Sequence, residues 1–185
     1  MRWLMACLTL CLALPAAASP WCINHDTSRL GFVGTQNGNA FRGEFRDYEA
    51  DMRFDPNALG SARFDVSVVT ASAATGSDRR DGALRGSAWF HSEAHPRARF
   101  VTKTIRGAAG EAHYEAVADL TIRATTRRVV LPFEWRTDGD TASMAGQVTI
   151  DRTAFGVGQG RWSDCSSVGC DVEVQVDLDL QRCSS

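Results

Sequence analysis

The segment DVEVQVDLDL, residues 171–180, decides the fold class of this chain of 185 residues. Its apolar side chains are Val172, Val174, Val176, Leu178 and Leu180, and the residues between them are acidic or Gln. Successive side chains of a β-strand point to opposite faces, so strict alternation is typical of a strand with one buried face and one wet face. The segment therefore predicts a strand of an antiparallel sheet.

The same period of two recurs towards the N-terminus of the chain. It is found in GSARFDVSVV (60–69), EAHYEAVADLTIR (111–123), RRVVLPFEW (127–135) and SMAGQVTI (143–150). In residues 41–54 the apolar parity changes near Arg46 and Asp47, which predicts a bulge within one long strand. With SRLGFVGT (28–35) and ARFVTKTI (98–105), about eight strands are predicted, and the one helix candidate is residues 77–86, capped by Ser77 or Asp78.

The N-terminal residues have the features of a secretory signal. Arg2 precedes an apolar run from Trp3 to Leu14, and small residues suited to cleavage follow near Ala18 and Ser19. We therefore expect a signal peptide over residues 1–19 and one exported, soluble domain over residues 20–185. Loss of Arg2 leaves 19 of the 20 basic residues against 22 acidic ones, and their scattered distribution argues against nucleic acid as a partner.

Four cysteines remain after the predicted signal is removed, and an exported protein is expected to oxidise them. Cys22 and Cys183 lie at the two ends of the chain, whereas Cys165 and Cys170 lie in one loop, so we predict the disulfides Cys22–Cys183 and Cys165–Cys170. A zinc site of four cysteines is the alternative, but its ligands usually come as two close pairs.

Antiparallel strands with one apolar face can form a closed barrel or a sandwich. The terminal cysteines favour the barrel, because antiparallel pairing of the first and last strands brings Cys22 close to Cys183. An eight-stranded barrel encloses either packed side chains or one small ligand. The inward positions also include small residues, whose missing volume is either filled by large neighbours or left as a cavity: Gly43, Ala62, Ala112, Ala116, Ala118 and Gly146.

The stretch DRTAFGVGQGRWSD, residues 151–164, has glycines at every second position from Gly156 to Gly160. A phosphate-binding loop needs a helix directly after such glycines, and RWSDCSSVGC has no helical period, so a nucleotide site is disfavoured. Long connections without periodicity are more often functional than idle. We interpret residues 153–169 as a rim or lid over one barrel end, with Phe155 plugging inward.

Signatures of catalysis and metal binding are weak. No G-x-S-x-G pattern supports a serine hydrolase, and no C-x-x-C-H pattern supports attached haem. His91, Glu93 and His95 lie close together, but Pro96 follows at once and favours a turn over a metal-binding helix. No catalytic residue, metal or cofactor is expected.

The inward apolar residues are the candidate lining of a ligand cavity, and three residues near one barrel mouth are candidate rim contacts for a polar head group. The lining set is Phe32, Phe41, Phe45, Phe64, Val66, Val68, Phe100, Tyr114, Leu120, Ile122, Leu131, Phe133, Trp135, Met144, Val148, Ile150, Phe155, Val174 and Val176. The rim set is Arg80, Arg161 and Trp162.

Five segments, in this order along the chain, resemble the YceI-like family of exported proteins. They are SRLGF with FRGEF, FDPNALGSARFDVSVVTAS, RDGALRGSAWFHSEAHPRARF, ADLTIRATTRRVVLPF and DRTAFGVGQGRW. The last of them resembles the branch of the family with the GVGQGRW motif. The chain departs from the family pattern at His91, where an acidic residue is usual, at Ala124, where Gly is usual, and in its cysteines.

The resemblance implies a lipocalin-like barrel in the bacterial periplasm with an elongated cavity for a polyisoprenoid or an isoprenoid quinone. It implies lipid binding without catalysis. The GVGQGRW branch further suggests an accessory role in membrane electron transfer, in which the protein handles quinone or docks to a b-type cytochrome.

Overall fold

The computed structural model describes residues 20–107 and 112–183, so the predicted signal peptide at residues 1–19 lies outside the described residues. The chain there forms eleven strands and one α-helix. The strands are β1 Pro20–Ile23, β2 Arg29–Gln36, β3 Asn39–Phe45, β4 Tyr48–Arg53, β5 Arg63–Val69, β6 Ala73–Ala74, β7 Arg97–Gly107, β8 His113–Ile122, β9 Thr125–Asp138, β10 Thr141–Asp151 and β11 Asp171–Arg182; the helix is α1 Asp78–Arg85.

The strands close into an antiparallel barrel. From β4 the order runs through β5, β7, β8, β9, β10 and β11, and β11 returns to β1, which pairs with β4. β11 also pairs with β2, and β2 pairs with β3. β1 and β2 therefore together form one strand position of the ring, and β3 and β4 together form another. Counted in this way the barrel has eight strand positions, as the alternation predicts. Closure removes most of the unpaired edge that an open sheet exposes, although the pairing of β9 with β10 stops at Gly146↔Phe133.

The parity change near Arg46 and Asp47 is a strand break rather than the predicted bulge within one strand. β3 ends at Phe45 and β4 begins at Tyr48. The Asp47 N–H donates to Ser72 Oγ at 3.1 Å, which gives the interrupted backbone a partner outside the barrel wall. A bulge that was not predicted lies in β7, where the register with β8 shifts between Thr102 and Thr104.

Both predicted disulfides are present. Cys22–Cys183 joins β1 to the end of β11 across a sequence separation of 161, and Cys165–Cys170 closes a short segment before β11. These four cysteines are therefore not zinc ligands. In residues 20–107 and 112–183 no three His, Cys, Asp or Glu side chains are grouped closely enough to hold a metal ion.

Helix α1 begins where predicted, with Ser77 as its N-cap residue, but the Ser77 side chain makes no capping hydrogen bond. Instead, Asp81 in the first turn accepts hydrogen bonds from the N–H and the hydroxyl of Thr75, at 2.9 and 2.6 Å. Leu84 is the buried residue of the helix. Among the described residues there is no helix with the length and hydrophobicity needed to cross a membrane.

Candidate ligand cavity

The barrel interior changes character along its axis, and β11 shows this change in one strand. Its inward residues Val172, Val174 and Val176 are half-buried, whereas Leu178 and Leu180 are buried. All five alternate with outward residues along the strand, so all five side chains point towards the barrel axis. The interior is therefore incompletely filled at one end and packed at the other.

The packed end, which we call the solid end, is filled by aromatic rings. Phe54 is 1% exposed, and its ring centroid lies 4.6 Å from Trp135, 5.0 Å from Tyr114 and 5.7 Å from Phe133. The indole N–H of Trp21 donates to the Phe54 carbonyl oxygen at 2.9 Å, which satisfies a buried polar group. Edge-to-face contacts at these distances are favourable, so this cluster closes the barrel and stabilises it.

The other end, which we call the hollow end, contains a cavity of about 200 Å³. That is well above the roughly 10–15 Å³ needed to hold one water molecule. Its wall is formed by aliphatic and aromatic side chains, and the charged residue in the wall is Arg152. Tyr48 contributes the phenol group, whose buried oxygen has no hydrogen-bond partner and whose pKa is raised by burial. Such a wall suits an apolar ligand.

Most of the predicted lining residues are brought together around this cavity. They are Phe32, Phe41, Phe45, Phe64, Val66, Val68, Phe100, Leu120, Ile122, Leu131, Met144, Val148, Ile150, Val174 and Val176. Four predicted residues lie elsewhere. Tyr114, Phe133 and Trp135 belong to the solid end, because their large rings meet across the axis and leave no space, and Phe155 is buried beneath the loop that follows β10.

The small inward residues do not create the cavity, contrary to one of the two expectations. A Cβ on Gly43 would overlap the Phe32 ring, which therefore occupies that space. Ala116 and Ala118 are 0% exposed and lie beside larger neighbours. The hollow arises instead among the aliphatic and aromatic side chains of the wall, which do not fill the axis at this end; an eight-stranded barrel can hold one small ligand in such a space.

Arg152 holds together the loop at the hollow end. Its side chain is buried, and it donates to backbone carbonyl oxygens, from Nε to Gly169 at 2.9 Å and from Nη1 to Val157 at 2.7 Å. Its Nη2 donates to Trp162 at 2.6 Å and to Val168 at 2.7 Å. One side chain thus supplies donors to both ends of the loop, and burial lowers the pKa of the guanidinium below its usual range.

The role of Arg152 was missed at the level of sequence, although a signal was present. Inward positions of β10 are even-numbered, and Arg152 continues that parity as a charged residue where an apolar one is expected. The glycines of the loop also gain a purpose. A Cβ on Gly158, whose φ is +84°, would collide with the Arg152 guanidinium, so Gly158 makes room for a side chain and not for a phosphate.

Arg123 joins this loop to the segment that follows α1. Its Nη1 donates to the carbonyl oxygens of Trp89 at 2.6 Å and Gly156 at 2.9 Å. The N–H groups of Gly158 and Gln159 both donate to the Ala88 carbonyl oxygen, at 2.8 and 2.7 Å. Residues 152–170 and 86–90 therefore form one hydrogen-bonded cap, which we call the end cap.

The predicted rim residues lie at the hollow end in two places. The Arg80 guanidinium stacks 4.2 Å from the ring centroid of Phe41, a cavity-lining residue. Arg161 stacks 4.5 Å from Trp162, whose ring lies 5.8 Å from that of Trp89. Whether any of the three contacts a head group stays a prediction.

A closed antiparallel barrel with an apolar compartment at one end belongs to the class of small barrels whose interior can hold one small apolar molecule. Comparison with known proteins is more specific. A family model described as the YceI-like domain matches residues 21–180, so the chain belongs to the YceI-like family.

Relatives of known sequence share part of the chain. It is 30% identical to a UPF0312 protein of Photorhabdus laumondii over 97 residues, 52% of this chain and 50% of that protein, so the match spans half the length of that relative. It is 26% identical to a UPF0312 protein of Staphylococcus epidermidis over 123 residues, 63% of this chain and 68% of that protein.

Solved structures match more fully. BcnA of Burkholderia cenocepacia superposes with a TM-score of 0.81 at 28% identity, over 85% of this chain and 99% of that chain. A polyisoprenoid-binding domain from Saccharophagus degradans superposes with a TM-score of 0.71 at 15% identity, over 89% of this chain and 99% of that chain. At that identity the second likeness shows the shared fold alone.

Proposed function

We propose that this protein is a non-enzymatic binding or carrier protein that holds a long apolar ligand, a polyisoprenoid or an isoprenoid quinone, in the hollow end of its barrel. The observation that carries the proposal is the cavity of about 200 Å³ with an apolar wall. The polyisoprenoid-binding domain of Saccharophagus degradans, which has the same fold, supports this choice of ligand class.

The energetics of burial are sufficient for useful affinity. Each buried methylene contributes about 0.8 kcal/mol, so about fifteen of them contribute about 12 kcal/mol. Micromolar binding requires roughly 8 kcal/mol, and the remaining ~4 kcal/mol offsets part of the cost of association. A hydrophobic compartment can therefore bind such a chain without strong polar contacts. The residues proposed to bind it are those of the predicted lining set that surround the cavity.

Binding is proposed over catalysis because of the chemistry of the wall. The wall residues within the described ranges include no carboxylate and no histidine. Arg152 is the charged member, and its donors are directed to backbone carbonyl oxygens of the end cap. A general acid and base pair, which most hydrolytic and proton-transfer reactions require, therefore has no candidate in the wall.

The proposed location is the periplasm, and the proposed mature domain is residues 20–185. Residues 1–19 have the composition of a secretory signal, and the disulfides Cys22–Cys183 and Cys165–Cys170 suit an oxidising compartment.

Native mass spectrometry of protein gently purified from the periplasm tests the proposal. We expect a bound mass that extraction with organic solvent removes, and we expect the extracted protein to bind retinol, a fluorescent isoprenoid alcohol. Protein that is isolated empty and takes up neither retinol nor a short-chain ubiquinone would contradict the proposal. Co-purification of a membrane b-type cytochrome would add a role in electron transfer.

A further inference from the structure

The barrel wall is split between β9 and β10 at the hollow end. Pairing of these two strands runs from Thr141↔Asp138 to Gly146↔Phe133 and stops there. Both strands continue, since β9 includes residues 125–132 and β10 includes residues 147–151. Over these stretches β9 stays paired with β8, and β10 stays paired with β11 as far as Asp151↔Asp171. The two strands therefore separate from each other and not from the rest of the wall.

Sequence explains where the separation begins. Pro132 is the residue at which pairing stops, and proline has no N–H to donate to a neighbouring strand. At this point the backbones are still close, because a Cβ on Gly146 would lie 2.7 Å from the Pro132 carbonyl oxygen and 3.3 Å from Leu131 Cδ1. Leu131 thus lies over the base of the opening, which we call the slit.

The two edges of the slit are apolar on the inner side of the wall. Val129 and Leu131 on β9 and Val148 and Ile150 on β10 all line the cavity. On the outer surface Val130 is 44% exposed, which is unusual for a large apolar residue in the described part of this chain. An apolar chain lying in the slit would contact hydrophobic side chains on the inner side of the wall and Val130 on the outer side, where β10 presents Gln147, Thr149 and Asp151. Five residues of strand correspond to an opening about 16 Å long.

The far end of the slit is closed by the first turn of the end cap. The 3₁₀ turn Arg152–Phe155 continues directly from β10 and packs against β9. Phe155 is 3% exposed and lies in a cluster with Ile122, Val157 and Ile150. Its ring therefore lies at the end of the slit next to the end cap, against Ile122 at the end of β8 and Ile150 on β10.

A route through either end of the barrel requires more to be broken. At the solid end the axis is filled by the rings around Phe54. At the hollow end a ligand would have to part the end cap, in which Arg152 and Arg123 each hold several carbonyl oxygens. Opening the slit breaks no ladder hydrogen bond between β9 and β10, because their pairing stops at Gly146↔Phe133.

We propose that the slit between β9 and β10 is the entrance through which an apolar chain reaches the cavity, with Phe155 as the side chain that closes it. This inference rests on the proposed function and adds a lateral route to it. The ligand class that fits the slit is a flexible, unbranched or methyl-branched chain, which can enter lengthwise between two strands.

Cross-linking the two edges of the slit tests whether the slit is the entrance to the cavity. Val130 and Thr149 both lie on the outer face. A short bis-maleimide that joins the cysteines of a Val130→Cys, Thr149→Cys double variant therefore leaves the cavity wall unchanged. The matched control joins Glu134→Cys to Ala145→Cys, a directly paired position on the same two strands. We expect cross-linking at the slit to slow retinol uptake and release by about tenfold or more with little change in affinity, as for a closed gate, and we expect no slowing in the control.

Removing the Phe155 ring should change the rates of ligand exchange in the opposite direction. Phe155→Ala is expected to speed both uptake and release of retinol, and Phe155→Leu is expected to restore most of the original rates. Rates are compared at a temperature where circular dichroism shows each variant folded. Unchanged rates in Phe155→Ala would remove Phe155 from the inference.

The outcomes separate the two proposals. If the slit-linked protein takes up retinol as fast as the control, the entrance lies elsewhere and the carrier function stands. If the unmodified protein takes up no retinol, both proposals fail. Should the cysteine variants not fold, amide exchange of the unmodified protein decides: residues 147–151 should include rapidly exchanging amides that face β9, and uniform protection along β10 would overturn the slit.

Discussion

The two ends of the barrel are built from the same strands and yet have opposite interiors. In β10, Ala142 is buried at the solid end and Met144 is buried where the cavity begins, while Val148 and Ile150 are half-buried at the hollow end. The backbone alternation is the same throughout. The difference lies in whether side chains meet across the axis: the rings around Phe54 and Trp135 do so at the solid end, whereas the aliphatic and aromatic side chains of the hollow end leave a cavity.

This difference separates stability from binding within one fold. A buried aromatic side chain removes about 150–250 Å² from water, so a few of them can anchor the barrel. The hollow end gives up such contacts, because atoms that face a void have no packing partners. We therefore expect equal changes at the two ends to have unequal costs.

Loss of an aromatic ring from the solid end should strongly destabilise the fold. Phe54→Ala at the solid end should lower the free energy of unfolding by about 3–5 kcal/mol, as for other buried aromatic residues. Phe100→Ala, at a half-buried position of the cavity wall, should cost about 1–2 kcal/mol, since its ring already borders empty space. Denaturant unfolding monitored by circular dichroism measures both, and equal costs would erase the distinction between the ends.

Each end also has a disulfide, and the two disulfides should differ in how much they stabilise the fold. Loss of Cys22–Cys183, with a separation of 161, should cost about 5 kcal/mol in the chain-entropy view, and loss of Cys165–Cys170, with a separation of 5, about 2 kcal/mol. Paired Cys→Ser variants followed by thermal unfolding give the two values. A larger loss from the short bridge would show that the end cap contributes more to stability than the ring closure.

Two inward glycines differ in what an added methyl group would contact. In Gly146→Ala the new Cβ would meet the Pro132 carbonyl oxygen at 2.7 Å, and backbone cannot move aside cheaply, so we expect a cost of about 2–3 kcal/mol. In Gly43→Ala it would meet the Phe32 ring, which can shift towards the cavity, so we expect about 1 kcal/mol. Chemical denaturation of the two variants should preserve this order, and the reverse order would mean that Phe32 has no space to move.

The smallest effect concerns the outer surface, which should be independent of the interior. Hydrogen bonds from Arg99, and then from Arg63, hold the pKa of Asp65 below its usual value. Since the folded pKa is lowered, this stabilisation is present above the unfolded pKa of about 3.9 and is lost as the pH falls through the folded pKa. Asp65→Asn should cost at most about 1 kcal/mol at pH 7, because such pairs are screened by solvent.

The pH dependence provides its own check. The difference in unfolding free energy between the original protein and Asp65→Asn should shrink as the pH is lowered below about 4. A difference that stays constant between pH 7 and pH 3 would mean that the carboxylate charge of Asp65 contributes nothing.

Sequence was sufficient for the features that depend on alternation. Period two in residues 171–180 predicts a strand with an inward apolar face, and Cys22 with Cys183 predicts closure; both follow from local chemistry and chain geometry. Most candidate lining residues surround the cavity for the same reason, since parity alone fixes which face a side chain occupies.

What sequence could not provide depends on three-dimensional distance across the axis. Val176 and Leu178 have the same parity and similar hydrophobicity, and whether their side chains meet others depends on residues from distant strands. Arg152 was missed because its partners are backbone carbonyl oxygens, which leave no trace in residue identity. The slit required knowledge of which strand pairs stop early, and Pro132 alone does not specify that.

Filling the hollow end with a large side chain tests directly whether the barrel interior is hollow and holds the ligand. Ala98 lines the cavity, and Ala145 lies on the outer face of β10, so Ala98→Trp and Ala145→Trp add the same side chain inside and outside. Retinol titration together with denaturant unfolding should show that Ala98→Trp loses binding by about tenfold or more. It should also keep its stability within about 1 kcal/mol, because the ring enters empty space, and Ala145→Trp should change neither. Undiminished binding in Ala98→Trp, or the loss of about 1–3 kcal/mol that overpacking a filled core produces, would contradict a hollow, ligand-holding interior.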